Sequence, residues 1–302
     1  FRAGRRSVWS GMGRGKLLRK IAEEVLGKEK AEKIWGRIEI IGDIAVIRKP
    51  PELPAEAFIP LGEEIIKRLP YVKSVWLAVT SVKTHYRVRE HVFLAGENRS
   101  TTTYREHGCV FKVDINSVYV SPALNYEHKR IADLVRPGEF IINMFAGAGL
   151  FSIIIAKKAK PRKVISIDIN PRAYELMREN IVLNRVEDVV EARLGDAAQV
   201  VREFVGMADR VLMPLPEYSR TYLPDAILAL KECGVIHAYD FVTAEEKDEA
   251  LLKGVKIFSK ELEKHGVYYE FLHKRVVRSV GPRYYQVVLD IRVSQGKRMS
   301  QD

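Results

Sequence analysis

From about residue 135 onward, short apolar runs alternate with amphipathic stretches of helical period, and this alternation constrains the fold more than any other feature of the chain. The apolar runs are Phe140–Met144, Val164–Asp168, Val189–Leu194, Arg210–Leu215 and Val235–Phe241. Between them the spacing predicts helices from about Leu150, over Arg172–Leu183, near Ala198–Val205 and near Ser219–Cys233. Repeated strand–helix–strand units cross over right-handedly, so these strands lie parallel in a sheet covered on both faces. The ending differs. After a helix near Glu245–Lys264, two strands, Tyr268–Arg278 and Tyr284–Val293, meet at a Gly281-Pro282 turn, and this hairpin should close the sheet antiparallel.

The first 135 residues follow another pattern. Arg37–Arg48, Ser74–Thr80, Arg87–Ala95 and Cys109–Asp114 alternate or cluster β-branched residues around one helical segment, Leu61–Leu69, which predicts an α+β domain. The expected organisation is a basic, partly helical segment over 1–35, an α+β target-orienting domain over 36–135, and a Rossmann-like α/β domain over 136–302. With 302 residues, 47% of them hydrophobic, the chain can fill two cores.

Lys and Arg number 50 against 39 Asp and Glu, a formal charge of +11, which favours a polyanionic partner and nucleic acid first. A highly charged surface is the plain alternative. Arg2, Arg5, Arg6, Arg14, Lys16, Arg19 and Lys20 crowd an acid-free start that resembles a presequence or an RNA-binding arm. Cys109 and Cys233 are too few for a disulfide framework or a zinc site; both read as packed strand residues in a reducing, cytoplasmic setting. The uncharged stretch Phe140–Ala156 approaches membrane-span length, but Gly147 and Gly149 split it into a strand and a helix start. Neither membrane, metal nor obligatory protein partner is expected.

Four strand ends carry the candidate site. The first leads into Phe145-Ala146-Gly147-Ala148-Gly149, where small residues let backbone amides approach a ligand, although a GxG alone also serves a tight turn. The second ends in Asp168, followed by Ile169-Asn170-Pro171; that carboxylate can accept both ribose hydroxyls of an adenosine, or merely cap the next helix with Asn170. The third ends in Gly195-Asp196 ahead of Ala197, suited to an adenine edge. The fourth leads into Met213-Pro214-Leu215-Pro216-Glu217. Their convergence on one sheet edge is where such folds bind ligands.

A parallel sheet finished by a hairpin resembles class I S-adenosylmethionine methyltransferases. More specifically, 37–293 resembles the archaeal and eukaryotic tRNA (guanine-37-N1)-methyltransferases. The resemblance rests on His85-Tyr86-Arg87-Val88-Arg89-Glu90, Gly96-Glu97-Asn98-Arg99, Arg105-Glu106-His107-Gly108, Phe111-Lys112-Val113-Asp114 and Ser121-Pro122. It continues through Asn143 to Gly149, Asp168 to Pro171, Asn180 to Asn184, Asp209-Arg210-Val211 and Leu215-Pro216. It implies S-adenosylmethionine as cofactor, the tRNA anticodon loop as partner, and a carboxylate and a guanidinium at the reacting guanine. Those are Glu127, to remove the N1 proton, and Arg87, to face the charge that builds on the carbonyl oxygen. Without the resemblance, Glu127 would be read as pairing with Arg130 one helical turn on, and Arg87 as contacting phosphate. The resemblance also implies cofactor contacts from His128, Asn143, Phe145, Ala146, Gly147, Gly149, Asp168, Ile169, Asp196, Ala197 and Pro214.

The chain departs from the family pattern in places. Asn143 stands where an Asp is usual, Pro214 where an Asn is usual, His128 where an Arg follows the catalytic Glu, and Ala123 where the Arg of Ser-Pro-Arg is usual. The further small N-terminal domain common in the family is expected to be missing, since 1–35 is too short for it. Two rival readings stay open: a wyosine-pathway aminocarboxypropyl transferase, and a non-catalytic RNA-binding relative.

Overall fold

The computed structural model describes residues 13–34, 37–79 and 89–296. Its contacts divide the chain into a unit that reaches Arg105 and includes Lys112–Pro122, and a unit made of Glu106–Phe111 and everything from Ala123. Arg87 lies outside the described residues.

In the first unit, α1 (Arg14–Leu26) and α2 (Lys28–Lys33) precede β1 (Glu39–Ile41), β2 (Ile44–Arg48), α3 (Ile59–Arg68), β3 (Ser74–Ala78) and β4 (His91–Gly96). The strands form one sheet in the order β1-β2-β3-β4, with only β2 and β3 parallel. The apolar run 37–48 is therefore a hairpin and not one strand. Gly42, at φ 58°, makes its turn, and any side chain there would run into Thr102 and the carbonyl of Thr103. The basic opening segment does not stand apart: Leu17, Leu18, Ile21 and Ala22 of α1 are buried with Phe58, Leu61 and Ile65 in one core. Their i, i+1, i+4, i+5 spacing puts them on one helix face.

A two-stranded hairpin follows, β5 (Thr101–Glu106) and β6 (Cys109–Asp114), turning through His107 and Gly108, both at positive φ.

The long stretch of the second unit opens at Ala123, with α4 (Asn125–Leu134) its first helix. Then come β7 (Phe140–Asn143), α5 (Leu150–Ala159), β8 (Lys163–Asp168), α6 (Pro171–Leu183), β9 (Val190–Leu194), α7 (Ala197–Val200), β10 (Ala208–Met213), α8 (Ser219–Ala229), β11 (Leu230–Thr243), α9 (Lys247–Lys264), β12 (Tyr268–Gly281) and β13 (Tyr284–Ser294). The sheet order is β12-β13-β11-β10-β7-β8-β9, parallel from β11 to β9, with β13 and β12 antiparallel. The alternating α/β sheet with its closing hairpin is thus as the sequence predicts. Phe140–Ala156 divides at the glycines into β7 and α5, and among the described residues no helix is long and apolar enough to cross a membrane.

Period-two alternation gives the sheet two unlike faces. Ile142, Ile165, Val211, Met213, Ile236, Ala238, Leu289 and Ile291 pack with residues of α7, α8 and α9 in a wholly apolar core. Their neighbours on β11 and β13 include His237, Tyr239 and Asp290, all buried and all polar. Cys109 is buried as expected, but Cys233 is exposed. It lies at the start of β11, where pairing with β10 is broken by an irregularity beside Arg210, ahead of the covered part of the strand.

Candidate active site

β10, β7, β8 and β9 are consecutive neighbours, so their C-terminal loops meet at one edge, and side chains and amides tie them together. Gly147, at φ 57°, donates its backbone N–H to Oδ2 of Asp168 over 2.7 Å, while the N–H of Asn170 donates to Oδ1 over 2.9 Å. Nothing lies within 4 Å of where a Gly147 side chain would project, which leaves open space over the loop. The next link is the N–H of Gly195, which donates to the carbonyl of Asp168 (3.0 Å). Asp196 caps α7 through the N–H of Ala198 and accepts a hydrogen bond from the Tyr222 hydroxyl, each at 3.0 Å. Tyr222 also meets the Phe145 ring edge-on at 5.2 Å, and Tyr218 lies 5.8 Å from Tyr222, which closes the circuit back to the glycine loop.

The electrostatics suit a polar, uncharged ligand group. Burial pushes the Asp168 carboxyl above its usual range despite the amides that donate to it. Burial and the Asp196 carboxylate together hold the Tyr222 phenol protonated, pushed up to about 12. An acidic group beside open space over a glycine amide, with an aromatic wall nearby, fits the ribose and adenine of an adenosine.

A second constellation grows from α4. Glu127, 1% exposed, receives the Tyr239 hydroxyl at 2.7 Å, Arg130 Nη2 at 2.9 Å and Arg275 Nη1 at 2.8 Å. Arg130 continues to Asp290 (2.6 Å), and Asp290 to Nδ1 of His237 (2.6 Å). His237 Nε2 lies 2.7 Å from Arg210 Nη1, and Arg210 pairs with Glu139 at 3.0 Å. Since a guanidinium can only donate, His237 Nε2 accepts and Nδ1 carries the proton toward Asp290. Burial lowers the affinity of His237 for a second proton. Asp290, which burial alone would push up, is held well below the carboxylate range by His237 and Arg130. Burial and the negative charge of Glu127 push the Tyr239 phenol far above its usual range, so it remains a donor.

Phe151, in the first turn of α5, joins the two constellations. Its ring lies 4.4 Å from His128 and 5.9 Å from Tyr239, placing the Glu127 cluster beside the helix that follows the glycine loop.

Residues 102–268 match the model of the TRM5/TYW2 methyltransferase domain, and residues 18–100 that of the TYW2 N-terminal domain. The chain belongs to the TRM5/TYW2 family. It is 39% identical over 87% of its length, and 96% of the other chain, to the tRNA 4-demethylwyosine(37)-methyltransferase Taw21 of Saccharolobus solfataricus. It is 40% identical over 85% of its length, and 74% of the other, to the tRNA (guanine(37)-N(1))-methyltransferase Trm5b of Pyrococcus abyssi. Among solved structures it resembles P. horikoshii TYW2 in complex with MeSAdo (TM-score 0.73, 28% identity, 93% of this chain and all of that one).

Within this TRM5/TYW2 protein the structure brings Phe145, Ala146, Gly147, Gly149, Asp168, Ile169, Asp196, Ala197 and Pro214 to the one edge. Ile169 is exposed beside Asp168, and Gly149, at φ 93°, lets α5 start against Met177. Asn143 reaches the loop from beneath: fully buried, it donates to Ser152 (3.1 Å) and accepts the N–H of Phe145 (3.3 Å), so its amide is spent on shaping the loop. His128 is likewise turned inward, with Nδ1 against the buried carboxylate of Glu106. The Glu127–Arg130 pairing that a purely structural reading requires is present, as one strand of a larger network. Sequence patterns missed Tyr222, Tyr239, Arg275, His237 and Asp290. The one available signal was a polar residue set inside an apolar strand run, as in Val235–Phe241.

Proposed function

We propose that this family member is a tRNA methyltransferase that uses S-adenosylmethionine and methylates N1 of guanosine 37. The observation that carries the reading is Glu127: a buried carboxylate beside the glycine-loop helix, oriented by two guanidiniums and a tyrosine. The names of the two relatives given above, each of which specifies position 37 of tRNA, support it.

Asp168 would hold the ribose, Asp196 and the Phe145–Tyr222 pair the adenine, and the backbone of Phe145–Gly149 the methionine end. When bound, S-adenosylmethionine supplies an electrophilic sulfonium methyl group. Guanine N1 carries a proton at neutral pH, so Glu127 takes it as N1 becomes the nucleophile, and Arg87 faces the charge on the carbonyl oxygen. The formal charge of +11 serves the approach of the polyanion.

Two observations favour a second reading, in which the substrate is already a wyosine precursor. One is the match of 18–100 to a TYW2 N-terminal domain; the other is the extent of the likeness to Taw21. The test presents tRNA bearing either guanosine or 4-demethylwyosine at position 37, with cofactor labelled separately on its methyl and aminocarboxypropyl groups. Methyl label in the guanosine tRNA is the expected result. Methyl label in the wyosine-precursor tRNA alone, or aminocarboxypropyl label in either, would replace the proposal.

A further inference from the structure

Of the three side chains that donate to Glu127, Tyr239 is fully buried and Arg130 has a side chain 12% exposed, whereas that of Arg275 is 33% exposed. Arg275 stands on β12, the last strand of the sheet, and its guanidinium carbon lies 3.9 Å above the ring of Tyr126, itself 58% exposed. Its Nη1 is given to Glu127, while Nε and Nη2 have no hydrogen-bond partner among the described residues. A buried carboxylate oxygen and an open guanidinium edge thus stand side by side, 2.8 Å apart at their contact, next to an exposed aromatic ring.

That pairing has a chemical complement. The Watson–Crick edge of guanine sets an N–H donor at N1 directly beside a carbonyl acceptor at C6. A carboxylate and a guanidinium in register meet both at once: Oε2 of Glu127 accepts from N1, and Arg275 donates to the carbonyl. Tyr126, already stacked on the guanidinium, supplies apolar surface for the plane of the base.

We infer that Arg275 is a further catalytic residue, which engages the C6 carbonyl of the target purine while it holds Glu127 in place. This rests on the methylation reading above. As N1 gains the methyl carbon of the sulfonium, its proton passes to Glu127, and the electron pair of the broken S–C bond is left on sulfur. During proton loss, charge spreads from N1 onto the carbonyl oxygen, where Arg275 offsets it. The energetic effect is largest in the transition state, because a neutral carbonyl accepts more weakly than one that carries developing charge.

The experiment pairs Arg275→Ala and Arg275→Lys with tRNA carrying guanosine or 6-thioguanosine at position 37, in single turnovers, with cofactor and tRNA affinities measured alongside. Arg275→Ala should slow guanosine methylation roughly 100-fold, the usual loss for one oxyanion donor, with cofactor affinity unchanged and partial recovery in Arg275→Lys. Because sulfur accepts hydrogen bonds poorly, the wild-type advantage over Arg275→Ala should shrink to less than about 10-fold on 6-thioguanosine. An equal loss on both substrates would mean that Arg275 only neutralises Glu127, and an unchanged rate would remove it from the site; either overturns the inference. Should the wild-type protein fail on guanosine tRNA altogether, the methylation reading falls, and this role with it.

Discussion

Tyr239 on β11 donates its hydroxyl to Oε1 of Glu127 on α4 across 2.7 Å, with both side chains almost wholly out of water. Burial and the adjacent carboxylate hold the phenol protonated, so Tyr239 stays the donor of the pair. Tyr239→Phe should therefore leave the fold intact but cost about 1.5–3 kcal/mol in denaturant unfolding, the usual worth of a hydrogen bond to a charged group. Cofactor affinity by calorimetry should be unaffected. A variant as stable as wild type would show that Arg130 and Arg275 satisfy Glu127 without the tyrosine.

Glu127→Gln keeps the shape of the side chain but cannot accept the N1 proton. Turnover should fall roughly 100- to 10,000-fold, with partial recovery as pH rises and the guanine ionises unaided. Single-turnover rates at saturating tRNA and cofactor check this. Wild-type rates with intact pH dependence would leave Glu127 as a structural ion-pair partner of Arg130.

Asp168→Ala should weaken S-adenosylmethionine binding about 10- to 150-fold, equivalent to the 1.5–3 kcal/mol of a charge-assisted hydrogen bond. The amides of Gly147 and Asn170 also lose their acceptor, so the glycine loop should loosen. Calorimetry with an equal affinity for both proteins would remove Asp168 from the ribose site.

Stability should drop on mild acidification because of His91. Burial, and next the charge of Arg89, depress its pKa from 6.5 to about 4 in the folded protein. A histidine with a lowered folded pKa leaves the unfolded chain binding the extra proton first, so stability falls as pH goes from about 6.5 to about 4 and changes little above it. The loss is at most about 3.5 kcal/mol for such a shift. His91→Phe should flatten the dependence of unfolding free energy on pH in that window. An unchanged slope would assign it elsewhere, with buried His237 the next candidate because its shift has the same sign.

The sequence by itself determined the alternating sheet, its closing hairpin and the four-loop edge. These follow from period-2 and period-3.6 patterns, and from glycines whose positive φ few other residues tolerate. Asp168 could be found because strand ends are visible in the apolar runs. Local pattern does not say which unit α4 joins, since it is amphipathic on either assignment and only its packing decides. What surrounds Glu127 was decided by tertiary structure alone. Arg130 is a helical turn away, but Tyr239, Arg275 and Asp290 come from three strands more than a hundred residues on. No local period records which polar side chain will face which once the strands are in register. His237 opposite Asp290, and Arg275 beside Glu127, exist because β11, β13 and β12 pair in one register and α4 covers that face. Burial then makes each of those charges dependent on its partner, an energy that arises only when water has been excluded.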